Sequence, residues 1–332
     1  MLTRRRGADG YDGHIDRVPV SLPVLPCEGD GDRDRVSTTW LGHATCIVDI
    51  GGKRVLTDPV FSRRCSPSQW VGTKRYTAPG ATVDELMTGM GVVIDLCIIS
   101  HDHFDHLDEG SIRDLAASNG VMNWYVPMGT KSVLIDYGCP ADRVREMEWW
   151  EEARDPSGLV VACLPAQHWC CRRPWDKNKR LWATWAVLSG EGKGSGRTRA
   201  SFFFGGDTAY PQNFPLFKQI GSKYGPFTMA AIPIGAYAPR WFMSAQHCDP
   251  AGSLSIHSDV RSSLSVGIHW GTFPLADELF YEPVKELVEE AERGGVGNFF
   301  ALRIGETLGT GGKVDMRRVF ERLFTAADKK GG

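Results

Sequence analysis

Apolar positions in this chain fall in short blocks separated by polar or glycine-rich segments. Residues 46–50 and 54–57 are two such blocks on either side of Gly51-Gly52, a strand, turn, strand pattern. Paired glycines supply the positive φ angles that a tight hairpin requires. Asp58-Pro59 then stops the second block, because proline has no amide hydrogen for the ladder. Residues 96–100, apolar up to Ser100, predict a short buried strand. Further strands are predicted at 160–164, 184–189, 201–204, 229–234, 265–269 and 302–304. Helices are predicted over 108–117, 283–293 and 316–325, the second with a plain amphipathic spacing. Residues 61–81 read as irregular and 191–199 as a Gly-rich charged turn.

The first 36 residues are polar and rich in Gly, Asp and Pro. They predict a mobile or loosely docked N-terminal arm, residues 1–36. Order is expected from near Thr38, and residues 37–332 read as a single domain of the α/β class. Strands come early, helices lie between them, and neither an interdomain linker nor an internal repeat is visible.

Composition adds little to this, and charge adds one exclusion. The 332 residues are 42% hydrophobic and 23% charged, an ordinary globular balance. Lys plus Arg is 38 against 40 for Asp plus Glu. A near-neutral chain lacks the basic excess of a nucleic-acid binder. Nine cysteines without a CxxC pair leave an odd thiol in any disulfide scheme. Cys46, Cys97 and Cys163 sit in apolar runs and read as buried reduced thiols. Cys170 and Cys171 read as ordinary loop thiols. No apolar run reaches the ~20 residues of a membrane-spanning helix, and the basic start has no apolar stretch behind it, so no secretory signal is read. The expected location is intracellular, cytoplasmic or peripherally membrane-associated.

The chemistry concentrates at strand ends. The strand at 96–100 runs straight into His101-Asp102-His103-Phe104-Asp105-His106. Two imidazoles two residues apart on a turn can reach one metal ion, and the Asp and His beyond them can reach a second. Imidazole and carboxylate suit zinc, and the mixed set also admits manganese or iron. A polar loop after a strand would not need three His and two Asp in six positions. Two ions need more donors, and His168, Asp207 and His269 lie at other strand ends. Taken singly, each reads as a core histidine or a capping Asp. Together with the first cluster they complete a two-metal set. Gly205-Gly206 precede Asp207, so its carboxylate can approach closely enough to bridge both ions.

This set resembles the metallo-β-lactamase superfamily. The resemblance implies an αββα sandwich, two mixed sheets flanked by helices, with residues 37–332 as one catalytic domain. It also implies two Zn2+ ions: His101, His103 and His168 on one, Asp105, His106 and His269 on the other, and Asp207 between them. Other segments narrow the resemblance: Trp40-Leu41-Gly42-His43-Ala44-Thr45, Leu56-Thr57-Asp58-Pro59-Val60-Phe61, Ser66-Pro67-Ser68-Gln69 and Ala166-Gln167-His168-Trp169. So do Phe202 to Thr208, Ile232 to Tyr237, Arg240-Trp241-Phe242-Met243 and Ile268 to Phe273. From about residue 37 to about 310 the chain is similar to the N-acyl-phosphatidylethanolamine-hydrolysing phospholipase D family.

That resemblance implies a zinc-dependent phosphoric diester hydrolase. Its expected products are N-acylethanolamine and phosphatidate, formed by a hydroxide held between the metals. Asp207, Asp105 and His247 are the expected catalytic residues, and Gln246, His247, Tyr237 and Arg240 the expected substrate contacts. Asp58 is a candidate for orienting a ligand imidazole, and Asp102 reads as solvated. The expected partners are a phospholipid substrate, a membrane surface bound peripherally, and a second copy in a homodimer. Aromatic and basic residues mix in 70–76 (Trp70, Lys74, Arg75) and in 169–175 (Arg172, Arg173), a composition that favours a bilayer interface. Two alternatives stand beside this reading: a same-fold hydrolase of a soluble phosphodiester or lactone, and a non-catalytic lipid-binding or scaffold protein.

Overall fold

The computed structural model describes residues 35–190 and 199–310, with Val20, Pro23 and Leu25. The predicted helix at 316–325 and most of the predicted turn at 191–199 lie outside these residues, as does most of the arm at 1–36. Of the arm, Val20 forms a parallel bridge with Ile304 and Leu25 packs on a buried cluster.

Two seven-stranded mixed sheets face each other. The first has the order β14-β1-β2-β3-β4-β5-β6. Its strands are β1 (Val36–Gly42), β2 (Thr45–Ile50), β3 (Lys53–Thr57), β4 (Leu96–Ile98), β5 (Asn123–Pro127), β6 (Val144–Met147) and β14 (Thr307–Gly309). The second has the order β13-β12-β11-β10-β9-β8-β7. It comprises β7 (Glu152–Arg154), β8 (Val160–Leu164), β9 (Thr184–Leu188), β10 (Ser201–Phe204), β11 (Met229–Pro233), β12 (Ser265–Ile268) and β13 (Phe299–Ala301). Helices α1 (Glu109–Ser118) and α2 (Lys131–Asp136) follow strands of the first sheet. Helices α3 (Leu216–Tyr224), α4 (Arg240–Met243), α5 (Pro250–Asp259) and α6 (Glu282–Gly294) follow strands of the second. The expected αββα sandwich is what forms.

Burial on both faces explains why central strands such as β4, β8, β10 and β11 are largely apolar instead of alternating. Cys46, Val48, Ile50, Leu96 and Ile98 point into the core between the sheets, where they meet Trp185 and Phe203. Their neighbours Ile47, Cys97 and Ile99 point the other way, into a second cluster with Ile112 and Leu115 of α1. Helix ends follow local chemistry. Asp108 caps α1 by accepting the Ser111 amide, and Gly295 closes α6 in the left-handed conformation at φ +66°.

One predicted strand is displaced. Residues 302–304 are not a strand; β13 ends at Ala301. The chain turns at 303–306, where the Arg303 amide donates to the Glu306 carboxylate at 2.9 Å and Gly305 takes φ +86°. The first strand, β1, starts at Val36, close to the expected Thr38.

The sheets put six strand ends on one edge of the sandwich. The segments after β1, β3, β4, β8, β10 and β12 carry His43, Asp58, His101, His168, Asp207 and His269. Bonds between the sheets hold that edge together. The His269 amide donates to His43 O at 2.9 Å, Ala183 N to Ser100 O at 2.8 Å, and Trp185 Nε1 to Ile99 O at 2.9 Å.

Candidate active site

Seven of the nine histidines converge at this edge. His101 Nε2 and His168 Nε2 lie 2.8 and 3.3 Å from His103 Nδ1. One ring nitrogen carries at most one proton, so it cannot satisfy both contacts. Three lone pairs facing one point call for a cation. Beside them, Asp105 Oδ2 lies 3.3 Å from His106 Nε2 and 3.5 Å from His269 Nε2. Asp207 stands between the two groups. Its Oδ1 is 2.9 Å from His269 Nε2, and its Oδ2 is 3.2, 3.7 and 4.0 Å from His106, His168 and His101 Nε2. The structure thus brings all seven expected metal ligands together, with Asp207 facing both groups.

Buried polar atoms without a hydrogen bond test whether a metal fits. His106 Nε2, His269 Nε2 and Asp207 Oδ1 are buried and make none. His269 Nε2 and Asp207 Oδ1 are close, but they do not align as donor and acceptor. Buried polar groups are nearly always satisfied, and divalent cations would satisfy this set.

Electrostatics agree with that fit. Burial opposes charge on Asp207, yet His106, His269 and His247 outweigh it and hold the carboxyl well below the usual range. Asp105 is held down in the same way, chiefly by His106. Burial depresses His101 and His103, and it pushes His168 down to about 4. They stay neutral, the form that binds metal. Burial also works against protonation of His269, but Asp207 and Asp105 lift it to about 9, and His106 is raised likewise. The two carboxylates demand positive charge, and a proton or a metal ion can supply it.

The sign of the pH dependence follows. Below their raised values His106 and His269 carry protons, and a bound metal must displace them. Metal uptake at pH 7 therefore releases protons, and apparent affinity rises with pH while His269, lifted to about 9, and His106, raised likewise, are still protonated. Calorimetric titration of the metal-free protein in buffers of different ionisation enthalpy checks this. A heat independent of buffer contradicts it.

Other groups orient the ligands. Asp58 Oδ2 accepts from His106 Nδ1 at 2.6 Å, and the same carboxylate accepts the amide of Ser100 at 2.6 Å and its hydroxyl. Gln246 contributes through its backbone, where its carbonyl accepts from His168 Nδ1 at 2.8 Å. Both bonds fix the tautomer that leaves Nε2 free as a lone pair. His43, Asp58 and His269 all hold positive φ, at +53°, +30° and +63°. Non-glycine residues there carry strain of about 1–3 kcal/mol each, and such residues cluster at active sites. Gly206, at φ +51°, lets Asp207 approach: a Cβ there would collide with Ser100.

A cavity of about 890 Å3 opens beside the cluster. His247 links the two, because it lines the cavity and its Nδ1 lies 3.8 Å from Asp207 Oδ2. Tyr237 and Arg240 also line it. Arg240 is already paired, with Asp249 at 2.8 Å and Glu286 at 2.5 Å, and its guanidinium lies 4.6 Å from the Tyr237 ring centre. The Gln246 side-chain amide reaches Met243 Sδ at 3.7 Å.

Two expectations change. Asp102 is fully buried, not solvated, and pairs with Arg180 at 2.8 Å. Arg75 and Arg172, expected among the surface cations, are engaged by contacts within the chain. Arg75 is buried against Phe273 and Arg172 bonds the Asp102 carbonyl, while Trp70 and Trp175 stay exposed. Sequence reasoning missed His43, whose Nε2 lies 2.9 Å from Asp105 Oδ2. Its only signal was a histidine inside the Trp40 to Thr45 motif. Of the other two histidines, His257 is a core residue bonded to Ser265 Oγ at 2.7 Å and His14 lies outside the described residues.

The class that this fold and site define is a metal-dependent hydrolase. The family model for the beta-lactamase superfamily domain matches residues 53–270. The chain is 40% identical over 298 residues to N-acyl-phosphatidylethanolamine-hydrolyzing phospholipase D 1 of Caenorhabditis elegans, covering 86% of this chain and 80% of that one. It is 33% identical to the mitochondrial N-acyl-phosphatidylethanolamine-hydrolyzing phospholipase D of Saccharomyces cerevisiae, over 83% of this chain and 56% of that one. Within the beta-lactamase superfamily, the chain belongs to the N-acyl-phosphatidylethanolamine-hydrolysing phospholipase D family. A metallo hydrolase from the archaeon Ignicoccus hospitalis shares the fold, with a TM-score of 0.58 at 19% identity over 84% of this chain and 100% of that one.

Proposed function

We propose that this chain hydrolyses the phosphodiester of an N-acyl-phosphatidylethanolamine, using two zinc ions, to give an N-acylethanolamine and phosphatidate. The observation that carries this reading is the cavity of about 890 Å3 meeting the ligand cluster at His247. The names of the two relatives supply the substrate class.

His101, His103 and His168 would hold one ion, Asp105, His106 and His269 the other, and Asp207 both. Such a pair, when bound, supplies Lewis acidity that activates water near neutral pH and offsets charge on phosphoryl oxygens. The chain's own residues supply the rest. Asp58 and the Gln246 carbonyl keep His106 and His168 in the ligating tautomer. Burial pushes His247 down to about 3, so it meets a phosphate as a neutral hydrogen-bonding group. Phe214 and Trp241 line the cavity yet expose 54% and 84% of their surface, which suits acyl chains arriving from an apolar phase. No helix among the described residues is long and apolar enough to cross a membrane. Peripheral contact through exposed aromatics such as Trp70, Trp175 and Trp241 is consistent with this chemistry.

Vesicles of N-acyl-phosphatidylethanolamine and a soluble phosphodiester, incubated side by side and read by mass, test the reading. The expected products are N-acylethanolamine and phosphatidate, with the soluble diester cleaved more slowly. Turnover of the soluble diester alone overturns the lipid assignment.

A further inference from the structure

Asp102 lies between His101 and His103, yet its carboxylate faces away from the metal cluster. Oδ2 accepts from Arg180 Nη1 at 2.8 Å and Oδ1 from the Cys171 amide at 3.0 Å. The Asp102 carbonyl accepts from Arg172 Nη1 at 2.6 Å. The guanidinium of Arg172 lies 4.2 Å from the ring centre of Phe104, the next residue but one along the loop. Arg180 Nη1 also bonds Asp176 Oδ2 at 2.8 Å, and Asp176 Oδ1 accepts the amides of Arg172 and Arg173 at 2.9 and 2.7 Å. Two carboxylates and two guanidinium groups therefore form one connected, charge-balanced network. Its charged members beyond Asp102 come from residues 171–180, which begin three positions after His168, and Arg172 also donates to Tyr137 Oη at 2.9 Å.

The network spans the two sheets. His101 and His103 leave β4 of the first sheet, whereas His168 leaves β8 of the second. These three make up one of the two ligand groups. We infer that the Asp102–Arg180 pair, backed by Asp176 and Arg172, is a clamp that sets the spacing between the β4 and β8 loops and so tunes affinity for the metal held by His101, His103 and His168. Asp102 and Arg180 are positioning residues, because they act through the histidines and touch no reacting atom. A ligand set must be held to within about 0.5 Å, and the peptide units flanking Asp102 carry two of its three members. This inference rests on the ligand assignment proposed above.

The test strips metal from the purified holoprotein and measures zinc affinity by competition with a chromophoric chelator. Thermal unfolding of each metal-free form is recorded alongside. Arg180→Met and Asp102→Asn should each weaken one of the two zinc sites by about 10–100-fold, the usual effect of losing an outer partner of a metal ligand. The double variant should be no worse than the poorer single, and Arg180→Lys should recover most of the affinity. Wild-type affinity at both sites in the variants overturns the clamp. So does an equal loss at both sites that merely tracks a lower unfolding temperature. Should Arg180→Met fail to fold, Asp102→Asn decides alone. Wild-type protein that holds two zinc ions leaves the ligand assignment standing whichever way the variants fall. Wild-type protein that takes up less than one zinc per chain overturns both.

Discussion

Asp207→Asn lowers kcat/KM by about a thousand-fold or more, roughly 4 kcal/mol of lost transition-state stabilisation, while the protein stays folded. Among the described residues Asp207 is the carboxylate that faces both ligand groups, with Nε2 atoms of four histidines between 2.9 and 4.0 Å from it. Asparagine keeps the shape but removes the negative charge and offers an NH2 group where a second lone pair is needed. The fold survives because the surroundings of Asp207 are other ligands and not the hydrophobic core, and Gly205-Gly206 still permit the approach. Steady-state kinetics beside circular dichroism checks this, and near-normal turnover removes Asp207 from its shared position.

Asp58→Ala has the second largest effect, and it acts on both metal retention and stability. The carboxylate is fully buried and accepts from His106 Nδ1, the Ser100 amide and the Ser100 hydroxyl. Burial raises its pKa, while His106 and Ser100 pull it back down. Removing it leaves those donors without an acceptor in a dry site, at a cost of about 3–5 kcal/mol for a broken buried pair. His106 also loses the bond that fixes its tautomer, which lowers metal affinity by about 10–100-fold. Denaturant unfolding and zinc titration read the two effects separately. Asp58→Asn should retain more stability than Asp58→Ala, because its amide oxygen still accepts one bond. Equal stability of Asp58→Ala and the parent chain refutes the account.

Most of the sandwich was legible because its strands are buried on both faces. Blocks such as 160–164 and 201–204 then read as continuous apolar runs. β1 escaped because it hides polar residues. Thr39 Oγ1 meets Thr307 Oγ1 at 2.7 Å and Thr38 Oγ1 meets Met229 Sδ at 2.9 Å, partners far away in sequence. α5 escaped because Gly, Ser and His interrupt any apolar face over Pro250–Asp259. Residues 302–304 misled because an apolar pair around Arg303 looks like a strand, whereas a left-handed glycine turns the chain there.

The site divides along the same line. His101 to His106 was legible because its donors are nearly consecutive. Asp102 was misread because its partner Arg180 is 78 positions away. His43 was missed because its contact with Asp105 spans 62 positions and depends on a left-handed turn.

The placement of donors from His43 to His269 also bears on biosynthesis. A zinc finger closes on its metal from one local segment and folds as it does so. Here β12, near the C-terminal end of the described chain, must be in place before the site is complete. A nascent chain can present the cluster from His101 to His106 early, but the full set forms only after the two sheets have docked. Metal loading through the full donor set is therefore a late event, one that follows docking of the sheets.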